Sequence, residues 1–179
     1  MTRPSRFAAA ALVAAGLLAP LAAEAAGTRT HVSNAGSDAN TAFSCDSAHP
    51  CRTFAAALSV TTPGGEILAI DSSGYGKLVI DRSVSIIAAP GVYAGIGVGS
   101  GTGITISAPG ADVVLRGLTL TGQGGYYGIS LHDVFRLSVE NCVLRNFTLG
   151  SAILIQIPAH VDILDTLVQN SYNGIYISS

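Results

Sequence analysis

Asp112 and Arg136 lie 24 residues apart, and so do Arg116 and Glu140; His160 stands one further step beyond Arg136. A carboxylate beside a guanidinium can serve as an acid–base pair on a polysaccharide. The same columns also describe cross-strand ion pairs on an exposed sheet, each worth a few tenths to about 1 kcal/mol. Signs alternate along each column, which favours the ion-pair reading. His132-Asp133 offers a second acid–base combination or simply a polar corner; the equivalent residues one step on, Gln156 and Ile157, do not reinforce it. Tyr126 and Tyr172 fall in one column with Gly150 between them, and Tyr127 and Tyr176 are near. Exposed rings of this kind either stack sugar rings, offering an apolar face and a polar tip, or shield the edge of a core.

Cys45 and Cys51 flank Asp-Ser-Ala-His-Pro. In an exported chain this spacing reads as a local disulfide. A metal set of Cys45, His49 and Cys51 lacks a fourth ligand, so no metal site is expected. Cys142 reads as a buried small hydrophobe. Calcium would want like-signed carboxylates converging, and only Asp162 and Asp165 approach that. Asn146-Phe147-Thr148 matches a glycosylation sequon, but the alanine-rich leader looks bacterial and no glycan is expected.

The elements that must carry these residues follow from a repeat. Val113–Leu120, Leu137–Leu144 and Val161–Val168 align at offsets of 24, with apolar or small residues in register at 113/137/161, 115/139/163, 118/142/166 and 120/144/168. A further strand follows each: Ile129–Leu131, Ile153–Ile155 and Ile175–Ile177. Period two within a segment means one inward face. A fixed larger period means stacked turns that bury a continuous core only together. Connecting stretches such as Thr121–Tyr127 are too short and glycine-rich for crossover helices. The pattern predicts an all-β, right-handed parallel β-helix of about five turns from Glu66 onward. Gly122, Asn146 and Asn170 share a column at the close of the first strands. They are expected to form a corner ladder, with the asparagine side chains turned into the corners and bonded to the backbone of the next turn.

Residues 1–25 read as a signal peptide: Arg3 and Arg6, an apolar run from Phe7 to Leu21, and a small-residue site at Ala23-Glu24-Ala25. Residues 26–65 form an N-terminal segment containing a short capping helix, Thr53–Leu58, with Thr53 as N-cap and ended by Pro63-Gly64-Gly65. Residues 66–179 form the coil. Without the leader, 7 basic and 10 acidic residues remain, and Lys77 is the lone lysine. That balance points away from nucleic acid, and no later run is long enough to span a membrane. A secreted or periplasmic protein is expected.

His31-Val32-Ser33-Asn34 through Asn40, then Pro50–Leu58, then Pro63–Asp71 with Gly74-Tyr75, resembles the opening of bacterial exported pectate-lyase-like β-helix proteins. The resemblance covers Thr30 to about Tyr75 and implies the β-helix fold without fixing an activity. Lyases of that superfamily use calcium and a basic residue; hydrolases use grouped aspartates. The sparse outward carboxylates favour a binding or structural module, directed at carbohydrate or a cell surface. A polysaccharide lyase or glycoside hydrolase is the alternative, with Asp112, Arg136, His132 and Asp133 as candidates. A further alternative is an adhesin or filament unit. The final turn is expected to leave Val161, Ile163, Ile175 and Ile177 at an open edge. That edge fits either a longer β-helix or self-association.

Overall fold

The 24-residue columns become strand ladders because every turn places its apolar residues over those of the turn before. The computed structural model describes residues 27–178, so the leader expected at 1–25 lies outside the described residues. Strand β1 (Gly27–Val32) comes first, followed by a 3-10 turn at Asp38–Phe43 and helix α1 (Phe54–Val60). The coil then runs through β2 (Thr61–Ala69), β3 (Ser73–Gly74), β4 (Leu78–Ile80), β5 (Val84–Ala88), β6 (Ala94–Val98), β7 (Thr102–Arg116) and β8 (Leu118–Gly122). It continues through β9 (Tyr127–Glu140), β10 (Val143–Arg145), β11 (Ser151–Ile155), β12 (His160–Leu164), β13 (Leu167–Gln169) and β14 (Asn173–Ile177).

All pairings are parallel, and they make three faces. The first holds β1, β2, β5, the end of β7, the end of β9, and β12. The second holds β3, β6, β8, β10 and β13. The third holds β4, the start of β7, the start of β9, β11 and β14. The result is a β-solenoid of about 4 turns rather than the five expected. Five coil strands stand on the first face, and only four steps join them.

The second face was hidden in the sequence. Segments such as Val113–Leu120 are not single strands; each breaks at a left-handed residue, Gly117, Asn141 or Asp165, with φ of 74°, 51° and 47°. Turn length also varies. Gly65 pairs with Val84, 19 residues on, and Val84 with Val113, 29 on. Only then do Val113, Leu137 and Val161 settle at 24.

The interior is a stack of aliphatic side chains. Ile67, Ile86, Leu115, Leu137, Ile104, Ile129, Leu118 and Leu144 are fully or almost fully buried. Cys142 is buried with them, its thiol pKa pushed up by burial, and its Sγ lies 3.3 Å from the Glu140 carbonyl oxygen.

The N-terminal segment is held differently, by side chains. Thr53 caps α1 by accepting from the Ala56 N–H, and Phe54, Ala57 and Leu58 form the buried helical face. Asp38 accepts from the backbone N–H groups of Arg52 and Thr53 and from the Thr53 hydroxyl at 2.9–3.0 Å. Asp71 accepts from Ser33 Oγ (2.7 Å), Asn34 N–H (2.8 Å) and the Tyr75 hydroxyl (2.5 Å). Tyr75 is buried and packs on Phe54, while Arg52 lies over its ring and donates to the Gly74 carbonyl. Burial pushes the Asp71 carboxyl up, but the bonds from Tyr75, Ser33 and Asn34 outweigh it and hold the pKa below the usual range. The tyrosine goes the other way, raised by burial and by the adjacent carboxylate.

Two details differ from the sequence reading here. Pro63-Gly64-Gly65 does not end the helix, which stops at Thr61; those residues lie inside β2, where Gly64 takes a φ of 80°. The helix also does not stand alone over a bare first turn. β1 adds a strand to β2, and residues 45–51 cover its far edge through bonds between His31 and Cys45, His31 and Cys51, and Ser33 and Cys51.

Candidate functional site

Three places gather chemistry-bearing side chains. The first is the outer surface of the first face. Asp112, Arg136 and His160 stand in register across β7, β9 and β12, and Arg116 stands in register with Glu140. The register was legible, but only one pair closes. Arg116 binds Glu140 at 2.7 Å, and Ser138 Oγ donates to the same carboxylate at 2.8 Å. Those two bonds lower the Glu140 pKa. No ion pair joins Asp112 to Arg136 among the described residues. Asp112 instead uses its backbone N–H, which donates to Ser83 Oγ. A second pair on this face, Arg29 with Glu66 at 2.7 Å, was not anticipated. Its signal was weak because the strand carrying Arg29 precedes the repeat.

The second place is the centre of β9. Ile106 pairs with Leu131 and Ser107 with Asp133, so His132 is the extra residue of a bulge. A bulge lets successive side chains both face solvent, and His132 and Asp133 are both exposed. His132 Nε2 lies 3.1 Å from Ser130 Oγ. Nearby, a concavity of about 380 Å³ is lined by Val134, Phe135, Pro158, Ala159 and His160, with no carboxylate on its wall. Phe135 and His160 meet edge to face at 5.8 Å.

The third place is the corner between the second and third faces, built by the loops after β8, β10 and β13. Tyr126 N–H donates to Gly101 O at 2.8 Å, and Asn173 N–H donates to Gly150 O at 3.1 Å. With Ser151 opposite Asn173 and Thr102 opposite Tyr127, the corner column reads Gly101, Tyr126, Gly150, Tyr172. Tyr126 is 52% exposed and Tyr172 78%. The four tyrosines do not form one cluster. Tyr127 belongs to the neighbouring column with Thr102, Ser151 and Asn173, its ring 6.3 Å from that of Tyr126. Tyr176 lies opposite Leu154 in the middle of the third face. Beside Tyr172, Asn146, Thr148, Asn170 and Ser171 line a concavity of about 560 Å³.

The asparagine ladder takes a different form from the one expected. Asn146 and Asn170 have φ of 66° and 52° and are exposed, and Asn170 Nδ2 donates to Asn146 Oδ1 at 3.5 Å, so the ladder joins side chain to side chain rather than side chain to backbone. Gly122 shares their column without the left-handed conformation; it lies in β8, where a Cβ would meet the Asn146 carbonyl oxygen at 2.3 Å.

Cys45 and Cys51 are joined by a disulfide, which takes both sulfurs away from the alternative metal set with His49. His49 instead bonds Asp46, at 3.2 Å. No group of three or more His, Cys, Asp or Glu side chains that could hold a metal ion occurs among the described residues. No helix of the described residues is long and apolar enough to cross a membrane. The final turn presents Leu164, Leu167, Ile175 and Ile177, all about half exposed or more. No protein-family model, curated protein or solved structure matches the chain. The fold therefore defines the class, a β-solenoid, and the functional reading rests on the surface itself.

Proposed function

We propose that this is an exported, non-catalytic β-solenoid that binds carbohydrate at the tyrosine corner. The observation that carries this reading is the pair of exposed rings, Tyr126 and Tyr172, held in one column of a rigid stack. Beside Tyr172 stand the amides of Asn146 and Asn170 and the hydroxyls of Thr148 and Ser171. That combination, an apolar platform rimmed by neutral donors and acceptors, is what sugar rings require. The loops 121–127, 145–151 and 169–173 contain no Asp or Glu, so the corner lacks the carboxylate pair that glycoside hydrolysis uses. Export fits the leader sequence and the disulfide, since such bonds persist in oxidising compartments.

A lyase or hydrolase is the second reading, supported by the register of Asp112 with Arg136 and Arg116 with Glu140. It is weaker because Arg116 and Glu140 are spent on each other. A panel of polysaccharides, assayed for retention and for cleavage with and without calcium, tests both. Binding without cleavage, abolished by Tyr126→Ala plus Tyr172→Ala, is expected. Cleavage that survives those changes and is lost in Arg136→Ala would replace this reading with the enzymatic one.

A further inference from the structure

Resting on that reading, we infer that the ligand is an uncharged, extended glycan lying along the solenoid axis, its alternate rings on Tyr126 and Tyr172. The corner column alternates Gly101, Tyr126, Gly150, Tyr172. Strands of adjacent turns are about 4.8 Å apart, so the two tyrosines are set about 10 Å apart along the axis. At the intervening rung the column position carries no side chain, since a Cβ on Gly150 would meet the Tyr126 carbonyl oxygen at 2.3 Å, and the exposed Leu149 stands beside it as a further apolar surface. Two platforms with an obligatory gap suit a chain that touches with its first and third sugars and crosses with its second. A single sugar or a compact branched cluster has no use for the second platform.

The charge of the corner selects among glycans. Its loops hold no acid; Arg145 is the one base in 121–127, 145–151 and 169–173, and a single lysine, Lys77, reaches the Ser100 carbonyl one turn before Tyr126. The Arg145 guanidinium is turned back along the second face, its Nε 3.3 Å from Thr121 Oγ1. An acidic polysaccharide would want several cations converging along its length, whereas Asn146, Asn170, Thr148 and Ser171 supply only neutral hydrogen-bonding groups. Neutral hydroxyl-rich chains match them. The axial direction follows from the same geometry. Across the corner, the rings of Tyr127 and Tyr176 stand in separate columns and Tyr127 is half-buried, so no comparable platform runs crosswise.

The test uses the exported protein and linear oligosaccharides of neutral β-linked hexose or pentose units, one to six units long, with oligogalacturonate as the acidic control. Calorimetric affinity is expected to rise at three units and to change little with added salt, because no ion pair is formed. For the longer oligomers each of Tyr126→Ala and Tyr172→Ala should weaken binding by up to about tenfold. For two-unit sugars the double variant should do no worse than the more damaging single one. Both rings are exposed, so unchanged denaturation midpoints will show that the variants fold. Preference for oligogalacturonate with salt-sensitive affinity would overturn the neutral assignment. Affinity independent of length beyond one unit would overturn the axial arrangement. Either result leaves the carbohydrate reading standing, whereas failure of every glycan to bind would end that reading and this inference together.

Discussion

The N-terminal segment and the coil solve the same problem, burying an apolar interior, by different means. Up to Tyr75 the chain follows no repeat, and named side chains tie it: Asp38 over the start of α1, Asp71 between Ser33, Asn34 and Tyr75, and the Cys45–Cys51 bridge. Beyond β4 these devices thin out. Backbone ladders and columns of Ile, Leu and Val do the work, and many polar side chains are exposed. A single-copy structure must specify each joint with a particular residue. A stacked one specifies a turn once and repeats it, so its surface is free to vary. That freedom leaves the tyrosine corner open to the binding role proposed for it.

The contrast predicts an order of sensitivities. The largest effect should come from pushing two turns apart. Gly122→Ala places a Cβ within 2.3 Å of the Asn146 carbonyl oxygen, on backbone that cannot retreat without opening the ladder. A loss of about 3 kcal/mol is expected in denaturant melts, at the upper end for overpacking. A neutral outcome would mean the turns are not closely stacked there.

Next comes the N-terminal hub. Asp71→Ala strands the Ser33 hydroxyl and Asn34 N–H and removes one acceptor from the Tyr75 hydroxyl, for an expected cost of about 1–3 kcal/mol. The same residue sets a pH dependence. Its pKa is lower folded than unfolded, so its stabilisation is complete above the unfolded value of about 3.9 and is lost as the pH falls through the folded value. Melts across the acid range should show a shallower decline in Asp71→Asn than in the parent.

Removing the bridge with Cys45→Ser and Cys51→Ser should cost about 2 kcal/mol, because the closed loop is short. This loss should match that produced by reductant in the parent, read by the same midpoint.

The smallest effect belongs to the outer face of the coil. Arg116→Ala breaks a pair whose arginine side chain is 47% exposed, and less than about 1 kcal/mol is expected. Asp112→Ala and Arg136→Ala should be smaller still. If any of these three proves costlier than Asp71→Ala, the distinction drawn between the two regions fails.

The sequence by itself determined the coil after Val113, its inward columns, α1 with its Thr53 cap and buried Phe54–Leu58 face, and the Cys45–Cys51 pairing. Each is a local or strictly periodic signal: residues of one type returning every second position, or every 24, need no further context to be read. Tertiary structure alone decided the rest. The second face is made of strands of two to five residues, too short to show a period, and it was read as the tail of the first. The early turns were blurred because their lengths of 19 and 29 shift the columns out of register while the pairing stays the same. Carboxylates in column with arginines announced two ion pairs, yet only Arg116 and Glu140 close, since register fixes where a side chain starts and not which partner it reaches. The corner asparagines keep the left-handed backbone that their residue type favours, but their amides meet one another instead of the next turn's backbone. Tyr126 and Tyr172 were visible as a column of letters. Their spacing, two exposed rings either side of a rung whose column position is glycine because packing admits no Cβ there, exists only once the turns are stacked.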